Sequence, residues 1–165
     1  MSRPTLTEAG RTKRITVEAQ ICAGCRNCEL ACSYAKTGSY RPSASRVTVL
    51  KDDAIGMDYP VVCHQCGECT ASLACPSGAF TRSLEGIAKV DHGDCTGCGA
   101  CAKACRYGAV NMQGATPLVC DLCGGNPACV TKCPTGALSY REAEGEPPTP
   151  VEEHAALMRR WGIHA

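Results

Sequence analysis

The chain has 165 residues, enough for one domain or for two small halves sharing a core. One Trp, one Phe and five Tyr offer little large apolar area, which excludes a thick all-hydrophobic core. A formal charge of +1, no basic run longer than residues 11–14 and no aromatic interleaving exclude a nucleic-acid surface.

In chain order, residues 1–12 read as a flexible N-terminus without the apolar run of a secretory signal. No stretch approaches 18 apolar residues, so no membrane span is expected. A reducing cytoplasm is the expected setting, with twin-arginine export as a passenger on a partner's signal as the alternative. Residues 13–19 (KRITVEA) alternate apolar and polar and predict a strand. It leads into a first cysteine group, Cys22, Cys25, Cys28 and Cys32, with a helical turn over residues 29–34. Residues 46–50 (RVTVL) predict a second strand, followed by a turn-like KDDAIG.

A second group, Cys63, Cys66, Cys69 and Cys75, precedes a predicted hairpin in which residues 79–82 and 87–90 flank a turn at 83–86. The third group is Cys95, Cys98, Cys101 and Cys105, with a helical turn over residues 100–106. The fourth is Cys120, Cys123, Cys129 and Cys133. Groups two, three and four each end in Cys-x-x-Gly-Ala-apolar and a short strand, an internal repeat. The tail, residues 141–165, differs. GEPPTP reads as a stiff extended linker. Thr149, Pro150 and Glu152 then fit a capping box with proline at the first helical position. Val151, Leu157, Met158 and Trp161 form a loose apolar stripe on this helix. It either packs back on its own domain or serves as a docking arm for another subunit.

The sixteen cysteines carry the chemistry. Groups one and three have the spacing Cys-x2-Cys-x2-Cys-x3-Cys. Such a loop wraps three sulfurs around three corners of a 4Fe–4S cubane. The fourth cysteine starts the next helix, points away and ligates the other cluster of a pair. Small residues such as Gly24, Gly97, Gly99 and Ala100 let backbone N–H groups come close to sulfur. Zinc is the rival, but structural zinc uses two separated Cys-x2-Cys pairs per metal, and each group here is a near-continuous triple plus an outlier. The order of expectation is four 4Fe–4S clusters, then four zinc sites, then disulfides. An oxidised cluster with four thiolates carries about −2, so four would take the chain to roughly −7. The 17 Lys and Arg then read as partial compensation.

On these motifs the chain resembles a known family over about residues 13–140. The family is the four-cluster, ferredoxin-like (polyferredoxin) electron-transfer subunits of molybdenum and tungsten oxidoreductases. Relatives serve formate dehydrogenases, hydrogenases and carbon monoxide dehydrogenases. The opening CAGCRNCELACSYAKTG and group four, CDLCGGNPACVTKCPTGAL, are most similar to the small iron–sulfur subunit accompanying tungsten aldehyde oxidoreductase. The resemblance implies an α+β fold. Two tandem bacterial-ferredoxin-like halves, with short strands and helices, would wrap around four clusters and carry a C-terminal helical tail. Residues 22–32 and 120–133 would form one half of a domain spanning 13–140, and residues 63–110 the other. It also implies four ligand sets: Cys22, Cys25, Cys28 and Cys133; Cys120, Cys123, Cys129 and Cys32; Cys63, Cys66, Cys69 and Cys105; Cys95, Cys98, Cys101 and Cys75.

Group two departs from the family pattern, which places a cysteine where Ala71 stands; Cys69 lies two residues earlier. A three-iron cluster or a non-cysteine ligand there is the alternative. Arg106, directly after Cys105, either faces solvent or adds positive charge at a cluster. His64 reads as a loop residue, because the cysteines already suffice as ligands. His92, His154 and His164 form no spaced cluster, and the pairs Asp52/Asp53 and Glu152/Glu153 read as solvated charges. No Walker, nucleophile-elbow or dinucleotide motif occurs, and no catalytic residue is assigned.

The expected function is non-catalytic: relaying single electrons between a tungsten- or molybdenum-cofactor subunit, oxidising aldehydes to acids, and a second partner. That partner would be a flavin subunit passing electrons to a nicotinamide or a ferredoxin. The alternatives are a free-standing soluble polyferredoxin, a subunit for a formate dehydrogenase, hydrogenase or carbon monoxide dehydrogenase, and an iron–sulfur carrier or zinc-bound interaction module. Terminal clusters near opposite ends would also permit end-to-end self-association into a longer conductor.

Overall fold

The computed structural model describes residues 12–162. The flexible lead expected over residues 1–12 lies outside them, apart from Thr12, which opens the first strand. The first part of the chain forms β1 (Thr12–Val17), α1 (Asn27–Thr37), β2 (Thr48–Asp52) and β3 (Met57–Val61). The middle forms α2 (Thr70–Leu73), β4 (Phe80–Arg82), β5 (Ala88–Val90), α3 (Ala100–Ala104), β6 (Asn111–Gln113) and β7 (Thr116–Leu118). The last part forms α4 (Ala128–Thr131), β8 (Leu138–Ala143) and α5 (Pro150–Arg160).

Among the described residues the strands make separate two-stranded antiparallel sheets, β1–β8, β2–β3, β4–β5 and β6–β7. The β1–β8 pair matters most for the sites, because it joins the two ends of the cysteine-bearing segment. Its register runs from Thr12↔Ala143 to Val17↔Leu138 and sets the fully buried Ile15 opposite Tyr140. With the ends closed in this way, α1 of the first cysteine group packs on α4 of the fourth. In the middle of the chain, α2 packs on α3 in the same manner. This is an α+β fold of small two-stranded sheets and short helices, consistent with tandem ferredoxin-like halves.

The β4–β5 hairpin forms where the sequence predicts it, closed by Gly86 N–H donating to the Ser83 carbonyl at 2.9 Å. Strand β2 begins two residues later than predicted, at Thr48. Its partner β3 contains Pro60, which argues against a strand in a sequence reading. Among the described residues the β2–β3 pair has no third strand, so one side of β3 needs no ladder bond, and Pro60 breaks none there. Helix α1 ends at Gly38, whose φ of +69° lets its N–H return to the Tyr34 carbonyl. The buried face of α1 carries Cys28, Glu29, Cys32 and Ser33. Glu29 accepts the Val49 N–H at 2.6 Å, which fastens β2 over this face.

The capping box of α5 is present: Glu152 N–H donates to Thr149 Oγ1, and Thr149 N–H donates to Glu152 Oε2 at 2.7 Å. Of its apolar stripe, Leu157 is buried beside Met57 and Tyr59, whereas Val151 and Trp161 stay exposed. The His154 ring bonds Asp52 Oδ2 at 2.8 Å, so the helix lies against the chain's own β2–β3 pair. The linker before α5 is not free either. Arg14 Nη2 donates to the Glu144 and Gly145 carbonyls, and Tyr107 OH donates to the Pro147 carbonyl at 3.0 Å.

The core is thin and divided. Ile15, Val47, Val62 and Leu138 pack with Cys28, Cys32, Cys120 and Cys129. Phe80, Ala71 and Val110 pack with Cys101. Cysteines occupy core positions that leucine and phenylalanine hold in most domains.

Candidate metal centres

Three cavities are each walled by four cysteines drawn from two different groups. Cys22, Cys25, Cys28 and Cys133 surround one, with about 290 Å³ of space including its mouth. Cys63, Cys66, Cys69 and Cys105 surround a second of about 410 Å³. Cys95, Cys98, Cys101 and Cys75 surround a third of about 320 Å³. The other four cysteines also converge. Cys32, Cys120 and Cys129 share one buried cluster, and the Cys129 thiol is pushed up by burial and by neighbouring Cys120, Cys32 and Cys123. The three cavity linings have the same cysteines as three of the sets that the family resemblance implies.

Local sequence explains the aim of the sulfurs. In the repeat Cys-Pro-Ser/Thr-Gly-Ala-apolar, Gly78 and Gly136 take φ values of +70° and +73°, a conformation glycine adopts without strain. The turn swings the following amides back toward the cysteine. Phe80 N–H lies 3.4 Å from Cys75 Sγ, and the Ser77 hydroxyl lies 3.7 Å from the same sulfur. These donors hold the Cys75 thiol below its ordinary pKa. Burial would raise the matching Cys133 thiol, but the Leu138 N–H and Thr135 hydroxyl bring it below normal. Ala109 N–H reaches Cys105 at 3.4 Å, and Arg46 N–H reaches Cys32 at 3.3 Å. Gly97 serves packing instead: a Cβ there would meet Ala115 Cβ at 2.6 Å.

This donor set fits 4Fe–4S groups. Burial pushes the Cys28 and Cys120 thiols up to about 12, and Cys63 and Cys129 upward as well. Crowded thiols of this kind become anionic together only when bound to a cationic centre. A zinc ion needs sulfurs about 2.3 Å from one point. A cubane gives each sulfur its own iron, so the four sulfurs can ring a space.

The irregular residue of group two now has a place. Cys69 stands immediately before α2 and lines the same cavity as Cys63, Cys66 and Cys105. Ala71, where the family pattern has a cysteine, is buried in the core next to Phe80. The single turn of α2 takes up the extra spacing, and Thr70 Oγ1 anchors it to the Ala104 carbonyl at 2.7 Å. Replacing Cys69 with serine should reduce bound iron by up to about four atoms per chain. Iron content and cluster spectra equal to wild type would remove Cys69 from the ligand set.

His64 is a loop residue, as expected, and its side chain is buried. It is 1% exposed, its Nδ1 sits 3.3 Å from the Ile15 carbonyl, and its ring meets Tyr107 edge-on. Burial lowers its pKa to about 4, so the ring is neutral near pH 7. His92 is exposed, His154 pairs with Asp52, and His164 lies outside the described residues. Arg106 does more than face solvent. Its guanidinium pairs with Glu146, stacks 5.3 Å over Tyr107 and shares a cavity wall with Cys66.

Sequence reasoning missed Gln65, the residue before Cys66. Its Nε2 donates to the Cys120 carbonyl at 2.8 Å, and its Oε1 accepts the Ala88 N–H at 2.7 Å. It thereby ties the second cysteine group and β5 to the fourth group. Arg82 Nη1 holds the Gly67 carbonyl at 2.6 Å, and Nη2 lies 3.3 Å from the Gln65 carbonyl, so the guanidinium steadies this loop from outside.

Residues 62–109 match the 4Fe-4S dicluster domain, and residues 19–35 match a 4Fe-4S binding domain. The chain is 36% identical over 122 residues to the aliphatic sulfonate oxidoreductase, polyferredoxin-like subunit, of Pyrococcus furiosus, covering 72% of this chain and 70% of that one. It is 35% identical over 144 residues to the putative electron transport protein YsaA of Escherichia coli K12, covering 79% and 90%. Against longer relatives it matches only a part. It spans 29% of the NADH-dependent phenylglyoxylate dehydrogenase subunit beta of Aromatoleum evansii and 22% of the putative oxidoreductase UacF of Escherichia coli K12. A chain of the active-site complex BamBC of benzoyl coenzyme A reductase, solved with 1,5-dienoyl-CoA, aligns at a TM-score of 0.50. It is 30% identical, with 92% of each chain covered. The chain belongs to the ferredoxin-like family of multi-cluster 4Fe–4S electron-transfer proteins.

Proposed function

We propose that this chain is a non-catalytic subunit that relays single electrons through four 4Fe–4S clusters between a catalytic oxidoreductase subunit and a second redox partner. The observation that carries the reading is the cross-grouping of cysteines, in which three cavities each have four sulfurs on their walls. Bound there, each cluster would take up and release one electron at a time. The chain's own residues would set the order of the path. Cys98 and Cys25 are exposed, on the walls of two different cavities, and offer entry and exit. Cys120 is close enough to raise the pKa of Cys63, after the larger effect of burial, and the two would form the junction between the halves.

The names of the relatives support a subunit of an oxidoreductase complex of broad kind. The tungsten aldehyde oxidoreductase pairing is the narrower reading and rests on the family resemblance alone. The broader one, an electron-transfer subunit for another oxidoreductase, is favoured by the sulfonate and phenylglyoxylate enzymes among the relatives. A free-standing polyferredoxin is the second reading, supported by the 90% coverage of a putative electron transport protein. A flavin subunit as second partner, a cytoplasmic setting and end-to-end self-association belong to the same proposal. No helix of the described residues is long and apolar enough to cross a membrane.

Native purification under anaerobic conditions tests the assignment. The expected result is co-elution with a larger chain that carries tungsten or molybdenum, together with absorption near 400 nm that bleaches on reduction. Elution as a lone iron–sulfur protein would favour the free polyferredoxin. A colourless, zinc-loaded chain would end the reading.

A further inference from the structure

The four-cysteine cavities differ in the charge on their walls. The cavity of Cys75, Cys95, Cys98 and Cys101 has no charged side chain among the residues that line it. The cavity of Cys63, Cys66, Cys69 and Cys105 has two arginines, Arg82 and Arg106. The donors of Arg82 go to the carbonyls of Gln65, Gly67 and Gly86. Arg106 instead lines the cavity wall together with Cys66.

The tail determines where that guanidinium sits. Glu146 pairs with Arg106, and both side chains are a little over one-third exposed. Glu146 belongs to the strap that Arg14 and Tyr107 pin at Glu144, Gly145 and Pro147. The Tyr107 ring under Arg106 is 4% exposed and rests on His64, so the platform beneath the guanidinium is fixed. The linker thus runs beside one cavity and holds a Glu–Arg pair there, of which the arginine lines the cavity and the glutamate does not.

We propose that Arg106, oriented by Glu146 of the tail strap, is a positioning residue that raises the reduction potential of the centre at Cys63, Cys66, Cys69 and Cys105. The proposal rests on the electron-transfer reading above. Reduction adds one electron from the partner and takes a four-thiolate centre from about −2 to −3. A cation at Cys66 stabilises the added charge, and the anion behind it partly offsets that effect. The chain would then hold a favourable resting point for the electron at an inner centre and a less favourable one at the neighbouring outer centre.

The test is an anaerobic dithionite titration of the holo-chain followed by electron paramagnetic resonance. Arg106→Gln should make one centre about tenfold harder to reduce, a fall of about 59 mV for a one-electron couple. Glu146→Gln should move the same centre the other way, by less, because the guanidinium keeps its place over Tyr107. Arg106→Lys should restore much of the wild-type midpoint. A merely structural role would give shifts of one sign, or none. With full iron content, an Arg106→Gln titration that overlays wild type overturns the proposal and leaves the electron-transfer reading intact. So does a Glu146→Gln shift in the same direction as Arg106→Gln. A wild-type chain holding no iron–sulfur cluster overturns both.

Discussion

Gln65→Ala should lower the stability of the holo-protein by about 2–6 kcal/mol, although Gln65 is neither a ligand nor part of a regular element. Its side chain accepts from the Ala88 N–H and donates to the Cys120 carbonyl, and Gln65 itself is buried. Truncation leaves one backbone donor and one acceptor without partners, at about 1–3 kcal/mol each. The two bonds also lie on opposite sides of the junction between the halves. One reaches β5, and the other reaches the cysteine group that packs on α1. Gln65→Glu should recover the Ala88 bond but lose the donor to Cys120, and it should fall between alanine and wild type. For a chain of this size each kcal/mol moves the midpoint of thermal unfolding by about 2–4 °C. Cluster loss makes such unfolding irreversible, so the variants are compared at one scan rate, by far-UV circular dichroism and by absorption near 400 nm. An alanine variant that melts with wild type in both signals would show that the bridge contributes nothing.

Gln65 also marks where sequence reasoning stops. The cysteine spacing, the Cys-x-x-Gly-Ala repeat and the capping box at Thr149 are local patterns, each with a local physical cause. A loop of fixed spacing aims its sulfurs through its own turns, as Gly78 and Gly136 do, and a capping box closes on its own backbone. These features were legible from residues alone. Gln65 has no such signature, because its partners are 23 and 55 residues away and both are backbone atoms. Strand β3 was hidden for a different reason. Pro60 reads as a strand breaker, and only the absence of a third strand in that sheet among the described residues makes it harmless. The tail strap was hidden by composition. GEPPTP suggests a stiff spacer, but the groups that pin it are Arg14, Arg106 and Tyr107, far away in sequence. The buried Arg14 and Glu29 reverse the usual rule that charged side chains stay outside. Each bonds a distant backbone segment, which no periodicity announces.

Removal of iron and sulfide should unfold most of the chain, because few of its elements can stand without the centres they surround. Helices α2, α3 and α4 are four or five residues long, far below the roughly 12–15 residues at which an isolated helix becomes marginal in water. The sheets have two strands each, and such pairs are marginal alone. The buried clusters that hold them together include Cys28, Cys32, Cys101, Cys120 and Cys129, so the core is built around cysteines of the proposed metal sites. Binding of one structural zinc ion contributes about 10–16 kcal/mol to small domains, as much as the whole stability of an ordinary one at about 5–15 kcal/mol. Four cluster sites would exceed that margin several-fold. Anaerobic treatment with a chelator and a mild oxidant should therefore abolish the near-400 nm absorption and the native far-UV spectrum in parallel. Reconstitution with ferrous iron and sulfide should return both together. The β1–β8 pair, at six residues per strand the longest in the fold, is the element expected to lose its order last. An iron-free chain that keeps the native far-UV spectrum and a cooperative thermal transition would mean that the thin core of Ile15, Val47, Val62 and Leu138 is sufficient by itself.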